Sequence, residues 1–165
     1  SLQADFRLLG LLEQMGCTVS RQAHRVSVRG PAGPLRSLGE VDMNAFPDAA
    51  LAYAVLALFA DGPTRITNVW NLRIKETDRI AAMRQVLESL GGSATEMPDG
   101  LIVQGGGLRG GKAHGFNDHR VVMAAAIAGL TAPKGVEVDT AEAMAITFPD
   151  FCERMCLLGA RMETN

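Results

Sequence analysis

Three short stretches of this chain gather residues able to bind an anion and move a proton. The first, NVWNLRIKETDRIAAM (Asn68–Met83), puts Arg73, Lys75, Glu76, Asp78 and Arg79 into seven positions between apolar flanks. The second, DMNAFPDAAL, sets Asp48 beside Pro47 before an apolar helix. The third, FNDHRVVMAAA, opens another apolar helix with Asn117, Asp118, His119 and Arg120. Arginine suits bidentate contact with phosphate or carboxylate. A carboxylate at a protected rim can bind a hydroxyl or transfer a proton. A helix start with spare backbone N–H groups also favours an anion.

Each stretch has a plainer reading as well. Asp48 can cap its helix or favour the positive dipole end, and Thr77 can cap the next helix. Lys75 and Arg79 are i, i+4, and share a side if helical geometry begins at Lys75. Two like charges there cost a few tenths of a kcal/mol (roughly 0.2–0.5) unless something compensates. Asp78 could do so from within, and a bound phosphate or carboxylate from outside. His119 and Arg120 can be no more than a polar opening to an apolar helix.

Periodicity identifies the elements that must hold these residues. Helices are expected over 5–15, 47–60, 76–90, 118–130 and 148–158, the second almost wholly apolar and so deeply buried. Strands are expected over 18–22, 25–29, 64–69, 93–97, 101–104 and 135–139, with Pro98-Asp99-Gly100 marking a hairpin. The run GGGLRGGK (105–112) lacks the Walker spacing and reads as a flexible connection.

An internal repeat carries more weight than any single element. NAFPDAALAYAVLALFADGPTRI parallels HGFNDHRVVMAAAIAGLTAPKGVEV, which aligns Phe46 with Phe116 and Asp48 with Asp118. LEQMGC, LESLGG and MCLLGA each end a helix. The unit is about 70 residues of buried helix, strand, amphipathic helix and hairpin. This implies an α/β (α+β) fold in which repeated units pack around central buried helices. It would bring helix starts distant in sequence to one rim. Residues 1–165 read as a single partial domain holding about two such units.

Composition limits the alternatives. With 47% apolar and 21% charged residues the 165-residue chain can bury a core. Only 5% of residues are aromatic and the net charge is −2, which argues against a nucleic-acid partner. No apolar run is long enough to span a bilayer. Cys17, Cys152 and Cys156 show no C-x-x-C pair and read as buried thiols in a reducing, cytoplasmic setting, with no metal site. The opening SLQADFRLL has no signal-peptide pattern and leads straight into an amphipathic helix, as in a piece of a longer chain.

RIKETDRI, FNDHRVVMAAA, DMNAFPDAAL and ITFPDF together resemble the 5-enolpyruvylshikimate-3-phosphate (EPSP) synthase family, above all through K-E-T-D-R followed by N-D-H-R. The resemblance covers the whole chain but only the C-terminal part, less than half, of such an enzyme. It implies one domain of the enolpyruvyl transferase fold, an inside-out α/β barrel, with the active site facing a missing N-terminal domain. It implies transfer of the enolpyruvyl group of phosphoenolpyruvate to the 5-hydroxyl of shikimate 3-phosphate, with release of phosphate and no metal or organic cofactor. By motif, Asp48 matches the candidate base and an acceptor contact, and Glu76 the proton donor. Asn71 and Lys75 match shikimate-phosphate contacts, with Lys75 beside the reacting centre. Arg79 and Arg120 match the arginines that clamp phosphoenolpyruvate, and His119 is a neighbouring polar residue. Some members carry a donor-contacting lysine where this chain has Ile146. The resemblance also implies that the isolated chain has no turnover. The other readings are the related UDP-N-acetylglucosamine enolpyruvyl transferase and a non-catalytic repeat scaffold.

Overall fold

A computed structural model of the chain describes residues 6–164. Two β-α-β units form its frame. In the first, strand β3 (Gly39–Asp42) leads through a 3₁₀ turn (Pro47–Ala49) into helix α2 (Ala50–Ala57) and then strand β4 (Thr64–Thr67). β3 and β4 pair in parallel, Gly39 opposite Thr64. In the second, β7 (Gly111–Ala113) leads into α4 (His119–Gly129) and then β8 (Val136–Val138), again in parallel, Gly111 opposite Val136. The sequence repeat is therefore a structural one, and α2 and α4 are its paired central helices.

Between the two units run α3 (Arg79–Ser89) and the hairpin β5 (Ser93–Met97)–β6 (Gly100–Gln104), which extends the first sheet to the order β3-β4-β6-β5. Helix α1 (Arg7–Gln14) precedes the separate hairpin β1 (Thr18–Gln22)–β2 (Arg25–Arg29), and α5 (Phe151–Leu157) closes the chain. Ile80, Met83, Val86, Leu87 and Leu90 of α3 are buried, on the face that their spacing predicts. They pack with Leu51, Ala54, Leu58 and the sheet residues Ile66 and Val103 in one core. Leu58 and Val103 are fully enclosed, so large-to-small changes there would leave a cavity.

Several expectations need correction. The five helices exist but are shorter at both ends, and Asp5, the expected start of the first, lies outside the described residues. Proline at 47 and glycine near the ends shift the terminal turns into 3₁₀ or loop geometry. The strand β3 was not expected, because its four residues Gly-Glu-Val-Asp bury only Val41 and show too little alternation. The 3₁₀ helices Trp70–Ile74 and Ala141–Ile146 were not expected either. The glycine-rich run is not wholly a flexible connection, since Gly111 and Lys112 belong to β7. The cysteines are not buried thiols: Cys156 is exposed, and Cys17 and Cys152 are half-buried. No described helix is long and apolar enough to cross a membrane.

Candidate active site

The opening of α3 sorts its five charges to different destinations. Arg73 turns away from the rim. Its Nη1 donates to Asp78 Oδ2 (2.7 Å) and Glu96 Oε1 (2.8 Å), its Nε to Pro98 O (2.8 Å) and its Nη2 to Met97 O (2.6 Å). The turn between β5 and β6 also accepts the backbone N–H groups of Asn68 and Val69 through Asp99. That turn thus clamps Asn68–Arg73, and Asn68 meets the constraint in a left-handed conformation, φ 58°.

Asp78, not Thr77, is the cap of α3: its Oδ1 accepts from Ala81 N at 3.1 Å. Helical geometry begins at Arg79, and Lys75 is extended (φ −87°, ψ −157°), so the two do not share a helix face. They nonetheless converge, because both reach Asp48. Lys75 Nζ lies 3.8 Å and Arg79 Nη1 3.1 Å from Asp48 Oδ1. Asp78 is committed to Arg73 and to its own helix, so the compensating charge comes from Asp48 for both cations and from Glu76 and Asp118 for Arg79.

Asp48 makes no capping bond in its 3₁₀ turn. It faces a third cation as well: Arg120 Nη2 lies 3.6 Å from its Oδ2, and Arg120 Nη1 donates to its backbone oxygen at 3.4 Å. Asp48 therefore does not cap; it holds the acidic position in the first turn of that 3₁₀ helix and lies among three cations.

Arg79 is the centre of the cluster, with its side chain only 2% exposed. Nε donates to Asp118 Oδ2 (2.8 Å), and Nη2 to Asp118 Oδ1 (3.3 Å) and Glu76 Oε2 (2.8 Å). With the Asp48 contact, four of its five N–H groups are engaged. The Asp118 side chain is fully buried. Its Oδ1 also caps α4, accepting from Arg120 N (2.9 Å) and Val121 N (3.3 Å). Burial works against its charged form, but the hydrogen bonds and charge of Arg79, with those two N–H groups, hold the carboxyl below its ordinary value.

His119 follows the cap and is buried. Its Nδ1 has no hydrogen-bond partner and lies 4.0 Å from Glu76 Oε1. Asn71 sits in the 3₁₀ helix that packs against the Asp48 turn, with its Oδ1 buried and unpartnered. Ile146 ends its own 3₁₀ helix and is 70% exposed. Lys75, Glu76 and Arg120 are partly open to solvent, at 35%, 49% and 35%. Six of the expected residues therefore meet at one rim. Asn71 lies beside it, in the 3₁₀ helix that packs against the Asp48 turn.

The sequence model of EPSP synthase (3-phosphoshikimate 1-carboxyvinyltransferase) matches residues 1–155. The chain belongs to the EPSP synthase family. It is 44% identical over 162 residues to the 3-phosphoshikimate 1-carboxyvinyltransferase of Acetivibrio thermocellus, covering 98% of this chain and 38% of that one. It is 41% identical over 167 residues to that of Natronomonas pharaonis, covering 100% and 37%. Among solved structures, EPSP synthase from Acinetobacter baumannii superposes with a TM-score of 0.82 at 28% identity, over 94% of this chain and 39% of that one. The enolpyruvyl transferase NikO from Streptomyces tendae gives 0.75 at 26%, over 93% and 35%. The fold is thus that of an enolpyruvyl transferase domain, and the chain spans less than two fifths of the length of the curated EPSP synthases described here.

Asp118 joins this cluster without having been among the site residues expected from the sequence. Two signals pointed to it: its place as the last polar residue before an N–H-rich helix start, and its alignment with Asp48 in the repeat.

Proposed function

We propose that this chain supplies one wall of an active site that transfers the enolpyruvyl group of phosphoenolpyruvate to the 5-hydroxyl of shikimate 3-phosphate, releasing phosphate. The observation that carries this is the meeting of Asp48, Lys75, Glu76, Arg79, His119 and Arg120 at neighbouring helix starts. In the addition step Asp48 takes the proton of the acceptor hydroxyl as its oxygen bonds to C2 of the donor. Glu76, entering the step as the carboxylic acid, delivers a proton to the methylene carbon, which gives a tetrahedral intermediate. Elimination then returns a proton from the methyl group to Glu76, and phosphate leaves with the proton that Asp48 had taken. Both carboxylates are open enough to exchange protons, and each is steered by a nitrogen of Arg79.

Lys75 and Asn71 face the shikimate phosphate side, and Lys75 also lies beside the reacting centre. Arg120 offers the donor its least committed guanidinium, and Arg79 adds the N–H left on Nη1. Neither a metal nor an organic cofactor takes part. His119 lines the same wall. The product serves aromatic amino acid biosynthesis in the cytoplasm.

The rim is charge-balanced without substrate: Lys75, Arg79 and Arg120 stand against Asp48, Glu76 and Asp118. Two phosphorylated substrates need further cations, which the N-terminal domain of a complete enzyme would supply. The isolated chain is therefore inactive. Titration of the complete enzyme with shikimate 3-phosphate and the donor mimic glyphosate tests the reading. Ternary binding supports it, and binding of a UDP-aminosugar alone overturns it. Normal phosphate release by the isolated chain would overturn the claim about the fragment.

A further inference from the structure

We propose that Asp118 is a positioning residue of the transfer reaction, holding the Arg79 guanidinium and, through it, Asp48 and Glu76. This rests on the reading of the rim given above. Asp118 does not touch substrate, because its side chain is fully buried beneath Arg79. Its oxygens are heavily committed: Oδ1 accepts from Arg79 Nη2, Arg120 N and Val121 N, and Oδ2 from Arg79 Nε. What it does is fix directions.

Its own direction is set by the loop before it. Phe116 and Asn117 are both left-handed, φ 57° and 52°. A Cβ at Gly115 would collide with the Val122 side chain and the Asp139 carbonyl. Non-glycine residues hold such conformations only where their surroundings enforce them. Here Thr140 Oγ1 accepts from Asn117 N (3.2 Å), and Gly115 O accepts from Asp118 N (3.0 Å). The loop aims one carboxylate at two targets. Oδ1 is shared between the first turn of α4 and Arg79 Nη2, so the backbone that carries Arg120 and the side chain of Arg79 move together. Nη2 passes the constraint to Glu76, and Nη1 passes it to Asp48.

A cap alone would not need this. Asparagine caps a helix about as well as aspartate. In Asp118→Asn the amide oxygen keeps the α4 cap, but an NH₂ group then faces the Arg79 Nε–H, donor against donor. The variant therefore separates capping from positioning.

The test uses the complete enzyme. In the wild type the Arg79 Nε–H resonance, read by ¹⁵N–¹H NMR, is protected from solvent exchange. In Asp118→Asn that protection is lost, kcat for phosphate release falls about 100-fold, the KM for phosphoenolpyruvate rises, and the KM for shikimate 3-phosphate stays within about two-fold. Wild-type kcat and donor KM with only a lowered melting temperature would overturn the proposal and leave Asp118 a helix cap. Should Asp118→Asn not fold, the wild-type resonance still decides: rapid exchange of Arg79 Nε–H overturns the proposal. Should the wild-type enzyme release no phosphate from these substrates, the proposed reaction fails, while the protection of Arg79 still reports on Asp118.

Discussion

Asp48 and Asp118, related by the internal repeat, meet on one guanidinium: Arg79 donates to Asp48 Oδ1 at 3.1 Å and to Asp118 Oδ2 at 2.8 Å. The repeat thus brings equivalent positions to a single rim, but in different roles. Asp48 remains one-third exposed, whereas Asp118 is fully enclosed.

Removing the guanidinium leaves Asp118 charged and buried, with only the two backbone N–H groups of α4 as partners. Arg79→Met should lower the unfolding free energy by about 3–5 kcal/mol, read by urea denaturation. Pairing it with Asp118→Leu should recover much of that loss, because an apolar pair of similar volume carries no desolvation cost. A single variant as stable as the wild type would show that the pair contributes nothing.

The pair also predicts acid sensitivity. The folded Asp118 carboxyl lies below its ordinary value. Its contribution to stability is therefore full above about pH 4, near the unfolded value, and is lost as pH falls through the lower folded value. Stability measured against pH should fall less steeply below about pH 4 in Asp118→Asn than in the wild type. Parallel curves would remove Asp118 from the account of acid unfolding.

Glu76→Gln and Asp48→Asn should each reduce kcat by about 10²–10⁴ in the complete enzyme with circular dichroism unchanged. Both side chains reach solvent, so their replacement does not open the core. Activity within a few-fold of wild type would take that residue out of proton transfer.

Arg73 should behave differently from its neighbours. It is held by Asp78, Glu96 and two carbonyls of the β5–β6 turn. Arg73→Gln should cost about 1–3 kcal/mol of stability, and the apparent Kd of shikimate 3-phosphate should stay within a few-fold. A large rise in that Kd without a stability loss would make Arg73 a ligand contact.

This contrast marks what was legible in the sequence. The repeat, the buried faces of α2 and α3 and the motif residues at helix starts could all be read from spacing. The partners of each charge could not. Asp78 looked able to neutralise Lys75 and Arg79 from within, and only the folded turn before α3 sends it to Arg73 instead. Asp118 read only as part of a polar helix opening, because the bond that ties it to Arg79 spans 39 residues. β3 stayed hidden because its pairing with β4 is non-local, and four residues with one buried side chain carry no period. The resemblance to the enolpyruvyl transferases filled part of that gap by naming Asp48, Glu76 and Arg120, but it did not name the aspartate beneath them.

Steady-state phosphate release by the complete enzyme, with phosphoenolpyruvate and either shikimate 3-phosphate or a UDP-aminosugar as acceptor, decides the reaction. Release is expected with shikimate 3-phosphate, none with the UDP-aminosugar, and the activity is expected to be lost in Glu76→Gln. Release with the UDP-aminosugar alone, or full activity in Glu76→Gln, would contradict the proposed reaction.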